Sequence, residues 1–277
     1  MTEPCDLSAA AARRLIGARR LSPVELLDSC LKRIGEVNGA VNAVVAIDEA
    51  RARDAARAAE AAVMAGARLG PLHGLPAGIK DLEETAGLRT TFGSPIFADH
   101  VPAADESMVA NLRAQGAIVL GKTNVPEFGA GANTRNVVYG ATGNPLVPVL
   151  SAAGSSGGSA VDTGGSLRNP AAFCGIVGFR PSPGIVPSDR RGHGWSHLNV
   201  LGPMARTAED CALMLSAMAD DDARDPLAYT LHGRDVRRGD RDLFPPMRVD
   251  LGTLCVAATP DFGFAPTERH IREIFAD

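Results

Sequence analysis

Leu75-Pro-Ala-Gly-Ile-Lys-Asp81 is the stretch on which the fold turns. It is too short for a stable helix, carries proline and glycine, and stops abruptly at two charged residues. That pattern predicts a short buried strand ending at Lys80. Lys80 is one of three lysines in a chain of 277 residues that holds 25 arginines. Lysine can release its proton when desolvated, and arginine in practice cannot. Lys80 is therefore a candidate base at a strand end. The plainer alternative, a solvated lysine, fits poorly with so apolar an approach.

Outward from this strand, helices and short buried strands alternate. Residues 6–36 predict two helices. Ser22-Pro-Val-Glu25 is a capping box with proline at the first helical position, and Leu26, Leu27, Leu31 and Ile34 follow at helical spacing. Residues 49–67 predict an Ala/Arg-rich surface helix. Further on come a helix at 106–115, a buried strand at 117–120, a strand at 176–179 and a helix capped by Thr207-Ala-Glu-Asp210 and running to about 218. An acidic loop at 220–226 and a polar loop at 227–247 follow. Cys255-Val-Ala-Ala258 predicts a strand, and Thr267 opens a last helix. This order predicts an α/β fold with a mixed sheet.

Composition excludes several classes. A net charge of −4 argues against electrostatic nucleic-acid binding. No apolar stretch is long enough to span a bilayer, and Met1-Thr-Glu-Pro-Cys-Asp6 lacks the regions of a signal peptide. The five cysteines (5, 30, 174, 211, 255) form no Cys-x-x-Cys pair. They fit a reducing cytoplasm, without disulfides or zinc.

Some 75 residues after Lys80 comes Gly154-Ser-Ser-Gly-Gly-Ser-Ala-Val-Asp-Thr-Gly-Gly-Ser-Leu-Arg168. A Gly/Ser run is usually a flexible linker. This one leads straight into the apolar Pro170-Ala-Ala-Phe-Cys-Gly-Ile-Val-Gly178. Its glycines would let consecutive N–H groups converge on one point, with Ser166 at the end. A lysine base beside such serines is the material of a hydrolase that works without histidine. Other candidates are weaker. Gly116-Ala-Ile-Val-Leu-Gly-Lys-Thr123 has phosphate-loop spacing, but its middle is itself a strand, so Lys122 reads as structural. Cys174 lies in an apolar run and suits packing. His73 and His193 lack metal-ligand spacing. Arg168 fits either the orientation of the active-site loop or of a substrate carboxylate, or an ion pair, with Asp162 for example.

These pieces together resemble the front part of an amidase-signature enzyme. The matching stretches are Leu75–Asp81, Gly121-Lys-Thr-Asn-Val-Pro-Glu-Phe128, Gly140-Ala-Thr-Gly-Asn-Pro145, Gly154–Ala160, Asp162-Thr-Gly-Gly-Ser-Leu-Arg-Asn-Pro-Ala171, Phe173-Cys-Gly-Ile-Val-Gly-Phe-Arg-Pro181 and Gly202-Pro-Met-Ala-Arg-Thr207. The resemblance implies one α/β domain over 1–277, partial at its C-terminus. A twisted central sheet is covered by helices, with a helical part at about 1–67 and an α/β core at about 70–277. It implies Ser166 as nucleophile, Ser155 as bridging serine held by a cis peptide to Ser156, and Lys80 as base. Thr163, Gly164, Gly165 and Ser166 would supply the oxyanion-hole N–H groups. The implied activity is hydrolysis of a small-molecule carboxylic amide through an acyl-enzyme, with no metal or organic cofactor, no nucleic-acid partner and no membrane. Two alternatives stand beside it. One is a truncated, catalytically impaired remnant with at most a binding role. The other is an amidotransferase A-like subunit, ranked lower because Val125-Pro126 stands where Met-Asp is expected.

The chain departs from the family pattern in three places. Only Gly-Gly-Ser-Ala-Val161 joins Ser156 to Asp162, where a further helix and strand are expected. Ala152-Ala-Gly154 replaces Pro-Gly-Gly. The sequence ends at Asp277, well short of the family domain. These departures predict a Ser166 mobile or beyond hydrogen-bond reach of Ser155 or Lys80, poor or absent amidase activity, and possible self-association through uncovered apolar faces.

Overall fold

Serine hydroxyls start the first two helices, the second of them as the sequence predicts. Ser8 accepts from the Ala11 N–H at the head of α1 (Ala9–Gly17). Ser22 accepts from the Val24 N–H at 2.9 Å, and Glu25 reaches back to the Ser22 N–H at 3.0 Å, closing the capping box of α2 (Pro23–Val41). Asn42 ends α2 in the left-handed region. The chain then enters β1 (Val44–Ile47), a strand absent from the sequence reading. Asp48 caps α3 (Glu49–Met64). This helix is less superficial than expected: Ala52, Ala56, Ala59 and Val63 line one face and are buried. The structure is a computed structural model, and it describes residues 3–159, 162–163, 166–190, 193–228, 244–245 and 249–276.

The predicted inner strands form at β2 (Pro76–Lys80) and β3 (Ile118–Thr123), with α4 (Ser107–Ala114) between them. β4 (Arg135–Asn136) and β5 (Gly140–Ala141) make a small antiparallel pair. β6 (Asp162–Thr163) is followed by α5 (Arg168–Cys174), which the sequence shows only as an apolar run. β7 (Val177–Gly178), expected as a longer strand, pairs antiparallel with β8 (Met204–Ala205). Thr207 caps α6 (Ala208–Met218), accepting from the Asp210 N–H at 3.1 Å. The polar loop expected at 227–247 lies mostly outside the described residues.

The chain divides into two compact units, Met1–Pro246 and Met247–Asp277. The second contains α7 (Arg269–Ala276), the predicted last helix. It corrects one expectation: residues 255–258 form no strand. Among the described residues of this unit no second strand is available, and a lone strand has nowhere to place its backbone hydrogen bonds.

In the first unit the main sheet has the order β1-β3-β2-β6. β3 and β6 both run parallel to β2, and β1 runs antiparallel to β3. Alternation along the strands gives the sheet two apolar faces. Ile118 and Leu120 pack with Leu27, Ala52 and Ala56, so α2 and α3 cover one side. Ala77, Ile79 and Val119 pack with Ile16, Met108 and Leu213, so α1, α4 and α6 cover the other. Each fully buried aliphatic side chain contributes about 1.5–3 kcal/mol. This is an α/β fold with a mixed sheet covered by helices. Among the described residues, no helix is long and apolar enough to cross a membrane.

Candidate active site

Parallel pairing decides where the site lies. Gly78 sits opposite Asp162 and Ile79 opposite Thr163. Both strands therefore end on the same side of the sheet, the side on which α/β folds gather their chemistry. Lys80 is the last residue of β2, and Ser166 follows β6 by three positions.

Ser155 arrives by a different route. Gly158 crosses so close to the start of the 124–126 turn that a β-carbon there would lie 2.2 Å from the Asn124 nitrogen. The Gly157 N–H donates to Thr134 Oγ1 at 2.8 Å. Asn124 is itself pinned, donating to Thr142 Oγ1 and accepting from Asn136 Nδ2 at 2.7 Å. The peptide bond of Gly154–Ser155 is cis. This corrects the expectation that the bond between Ser155 and Ser156 would be the unusual one.

The result is a row of three side chains. Lys80 Nζ donates to Ser155 Oγ at 2.9 Å, and Ser155 Oγ donates to Ser166 Oγ at 3.0 Å. Lys80 and Ser155 are buried, and Ser166 is partly exposed. The expectation that Ser166 would lie out of reach is overturned. It assumed that a further helix and strand are needed to aim the serine. Asp162 and Thr163 occupy the position beside β2 themselves, and a two-residue parallel register suffices. The side chain of Thr163 and the whole of Gly164 and Gly165 lie outside the described residues.

The row opens onto a cleft of about 480 Å³ whose walls include Phe92, Phe128, Glu83, Glu106 and Arg190. Phe92 and Phe128 both have positive φ, and the Phe128 N–H donates to the Phe92 carbonyl at 2.7 Å. Behind Lys80 lies a buried charged layer. Asp81 accepts two hydrogen bonds from Thr91, through its N–H and its hydroxyl. Burial raises the Asp81 carboxyl above the ordinary carboxylate range, and Lys122 opposes that rise. Lys122 lies within β3, fully buried, and donates to the Glu83 carbonyl and to Thr85 Oγ1. A strand lysine of this kind is no phosphate-loop lysine.

The remaining candidates fall away from the row. Cys174 is buried with its Sγ 3.7 Å from the Ala152 carbonyl, and burial raises its thiol. His73 Nε2 lies 2.9 Å from the Ala59 carbonyl. His193 and Arg168 are exposed. Glu83 and Glu106 are absent from the sequence-based candidates. The available signal was the acidic pair Glu83-Glu84, three positions after a strand-end lysine.

Comparison with known proteins identifies the family. The amidase family model matches residues 25–276. An acylamidase of Rhodococcus erythropolis is 36% identical over 98% of this chain and 58% of its own length. The A-type subunit of the glutamyl-tRNA(Gln) amidotransferase of Roseiflexus castenholzii is 42% identical over 81% of this chain and 48% of its own. A solved bacterial aryl acylamidase of the amidase signature family superposes with a TM-score of 0.77 at 32% identity, covering 81% of this chain and 50% of that one. The peptide amidase of Stenotrophomonas maltophilia gives 0.73 at 30%, over 83% and 51%. Fold and site together define an enzyme-like α/β scaffold with a lysine–serine–serine row. The chain belongs to the amidase family, and it spans about half the length of the relatives it matches.

Proposed function

We propose that this chain carries the catalytic row of an amide hydrolase, with Ser166 as nucleophile, Ser155 as proton relay and Lys80 as base. The observation that carries the reading is the unbroken row Lys80 Nζ–Ser155 Oγ–Ser166 Oγ, at 2.9 and 3.0 Å. Neutral Lys80 takes the Ser155 proton as Ser155 takes the proton of Ser166. Ser166 Oγ adds to the amide carbonyl carbon, and the oxyanion gathers at the N–H groups of 163–166. The C–N bond breaks as the proton returns through Ser155 to the departing amine. Water, activated by the same relay, then releases the acid from the acyl-enzyme. The substrate is a small carboxylic amide.

A fluorophosphonate probe tests this directly, because it reports nucleophile activation without needing a particular acyl pocket. Ser166 is expected to be phosphonylated, with the adduct mapped by mass spectrometry. Labelling should vanish in Ser166→Ala and fall steeply in Lys80→Arg. An unlabelled Ser166 in the folded chain, or a Lys80→Arg variant labelled at the parent rate, refutes the reading.

The 42% identity to an amidotransferase A-type subunit supports a second reading, in which the same row releases ammonia from glutamine within a complex. Release of ammonia from glutamine in preference to anilides would favour it.

A further inference from the structure

Glu83 and Glu106 stand on the wall of the cleft that also carries Lys80, Ser155 and Ser166, and the reaction above uses neither. Both are almost completely removed from solvent, at 6% and 4% exposure. They come from different elements. Glu83 lies in the turn after β2, its N–H donating to the Lys80 carbonyl at 3.0 Å. Glu106 is the residue that precedes the first turn of α4. Reciprocal bonds bring the two segments together. The Glu106 N–H donates to the Glu84 carbonyl at 2.9 Å, and the Glu84 N–H donates to Glu106 Oε2 at 3.3 Å.

Two buried carboxyls that share one site cannot both ionise. The surroundings decide which one holds the charge. Glu106 sits at the positive end of a helix, which favours an anion. It also accepts from the Glu84 N–H and, at 3.4 Å, from the Ser188 hydroxyl. Burial raises Glu83 well above the ordinary carboxylate range and the Glu106 charge adds to that, while Lys80 and Lys122 oppose it. Burial also raises Glu106, but its hydrogen bond with Glu83 pulls the other way.

We propose that the two carboxyls share one proton, carried by Glu83 and donated to Glu106, and that Glu83 is thereby a positioning residue that gives Lys80 a neutral neighbour. This rests on the reading of Lys80 as base. An ionised Glu83 would favour the ammonium form of Lys80, which cannot accept the Ser155 proton. The other charged groups around the pair are Lys122 from β3, Asp189 and Arg190 from the segment beside α4, and Glu84. Glu84 is engaged with Arg190 and with His100. Lys122 is held by the Glu83 carbonyl and Thr85.

The test needs no turnover. Infrared spectroscopy of the 277-residue chain at neutral pH reads the carbonyl stretch of un-ionised carboxylic acids. NMR of ¹³C-lysine-labelled chain reads only three Cε resonances, assigned with Lys32→Arg and Lys80→Arg. The acid band is expected to weaken in Glu83→Gln and to persist in Glu84→Gln. The Lys80 titration midpoint should move by less than about half a pH unit in Glu83→Gln, because one neutral group replaces another. A band unaffected by Glu83→Gln overturns the proposal. So does a Lys80 midpoint that falls by about one unit or more, since that fall marks a lost carboxylate. Should Glu83→Gln fail to fold, the parent chain decides. Loss of the acid band on raising the pH must coincide with an inflection in the Lys80 resonance, and a Lys80 resonance blind to that step overturns the proposal. An intact carboxyl pair beside an unlabelled Ser166 would instead leave the pair standing and reject Lys80 as base.

Discussion

The two ends of the Lys80–Ser155–Ser166 row are held in opposite ways. Lys80 ends a strand flanked by β3 and β6, with Asp81 tied to Thr91 and Lys122 tied to the next turn. Every side chain of that layer is buried and bonded. Ser166 follows a two-residue strand, is partly exposed, and runs into α5, whose Leu167 cap offers no side-chain bond. The base end is over-determined, while the nucleophile end depends on one short register. A buried polar layer must be satisfied in full or it costs heavily, whereas a partly solvated serine carries no such demand. Substitutions at the two ends should therefore fail differently: those behind the lysine through stability, those at the serine through rate.

The largest effect is expected at the row itself. Lys80→Arg and Lys80→Ala should each lower anilide hydrolysis by about 10²–10⁴-fold or more. Arginine should be no better than alanine, because it cannot serve as base. Initial rates of the two variants and of Ser166→Ala measure this. The double variant should lose little beyond the worse single one, since the residues act as a unit. Additive losses would break the row into independent parts.

Next comes Lys122→Met, which leaves Asp81 buried beside no cation from β3. Removing one partner from a buried charged pair typically costs about 3–5 kcal/mol. Urea unfolding should report a loss of that order. A variant as stable as the parent would show that the layer behind Lys80 is not what holds it.

Gly158→Ala probes the route by which Ser155 arrives. A methyl group 2.2 Å from the Asn124 nitrogen forces the backbone apart, and overpacking of this kind costs about 1–3 kcal/mol. Slower phosphonylation of Ser166 should accompany the loss, because Ser155 would shift with the turn. Unchanged labelling would show that the relay tolerates displacement.

The smallest effect serves as a control remote from the row. Thr207→Ala removes the cap of α6 and should cost about 1 kcal/mol. Labelling of Ser166 should proceed at the parent rate. A labelling defect as large as that of Gly158→Ala would mean that stability alone, and not geometry, controls the nucleophile.

Much of the framework is legible because its signals are local. Ser22 and Glu25 announce α2, Thr207 announces α6, and the apolar approach to Lys80 announces β2. β1 escapes because four residues between a helix end and a helix cap carry too little pattern, and its pairing partner lies some 75 positions away. α5 is hidden by Pro170, which is compatible with the first turn of a helix but looks like a break. Cys255-Val-Ala-Ala258 misleads because strand-like residues say nothing of what they would pair with. Lys80, Ser155 and Ser166 are legible from residue type and family resemblance, but their meeting is not. The expected obstacle is orientation, with no helix to aim the serine, whereas Asp162 and Thr163 pair directly with β2 and Ser166 Oγ lies 3.0 Å from Ser155 Oγ. The Glu83–Glu106 pair is illegible in principle, because no local pattern links a strand-end turn to a helix start 23 positions later.

The scarcity of lysine has a practical consequence. Lys80 and Lys122 are at most 1% exposed, while the side chain of Lys32 is 63% exposed on α2. Amine-directed coupling chemistry will therefore find a single lysine on the folded chain. A dye, tether or surface attached through Lys32 would sit on the helix that packs against α3. The cleft would stay open, and the amine most relevant to the chemistry would remain unmodified.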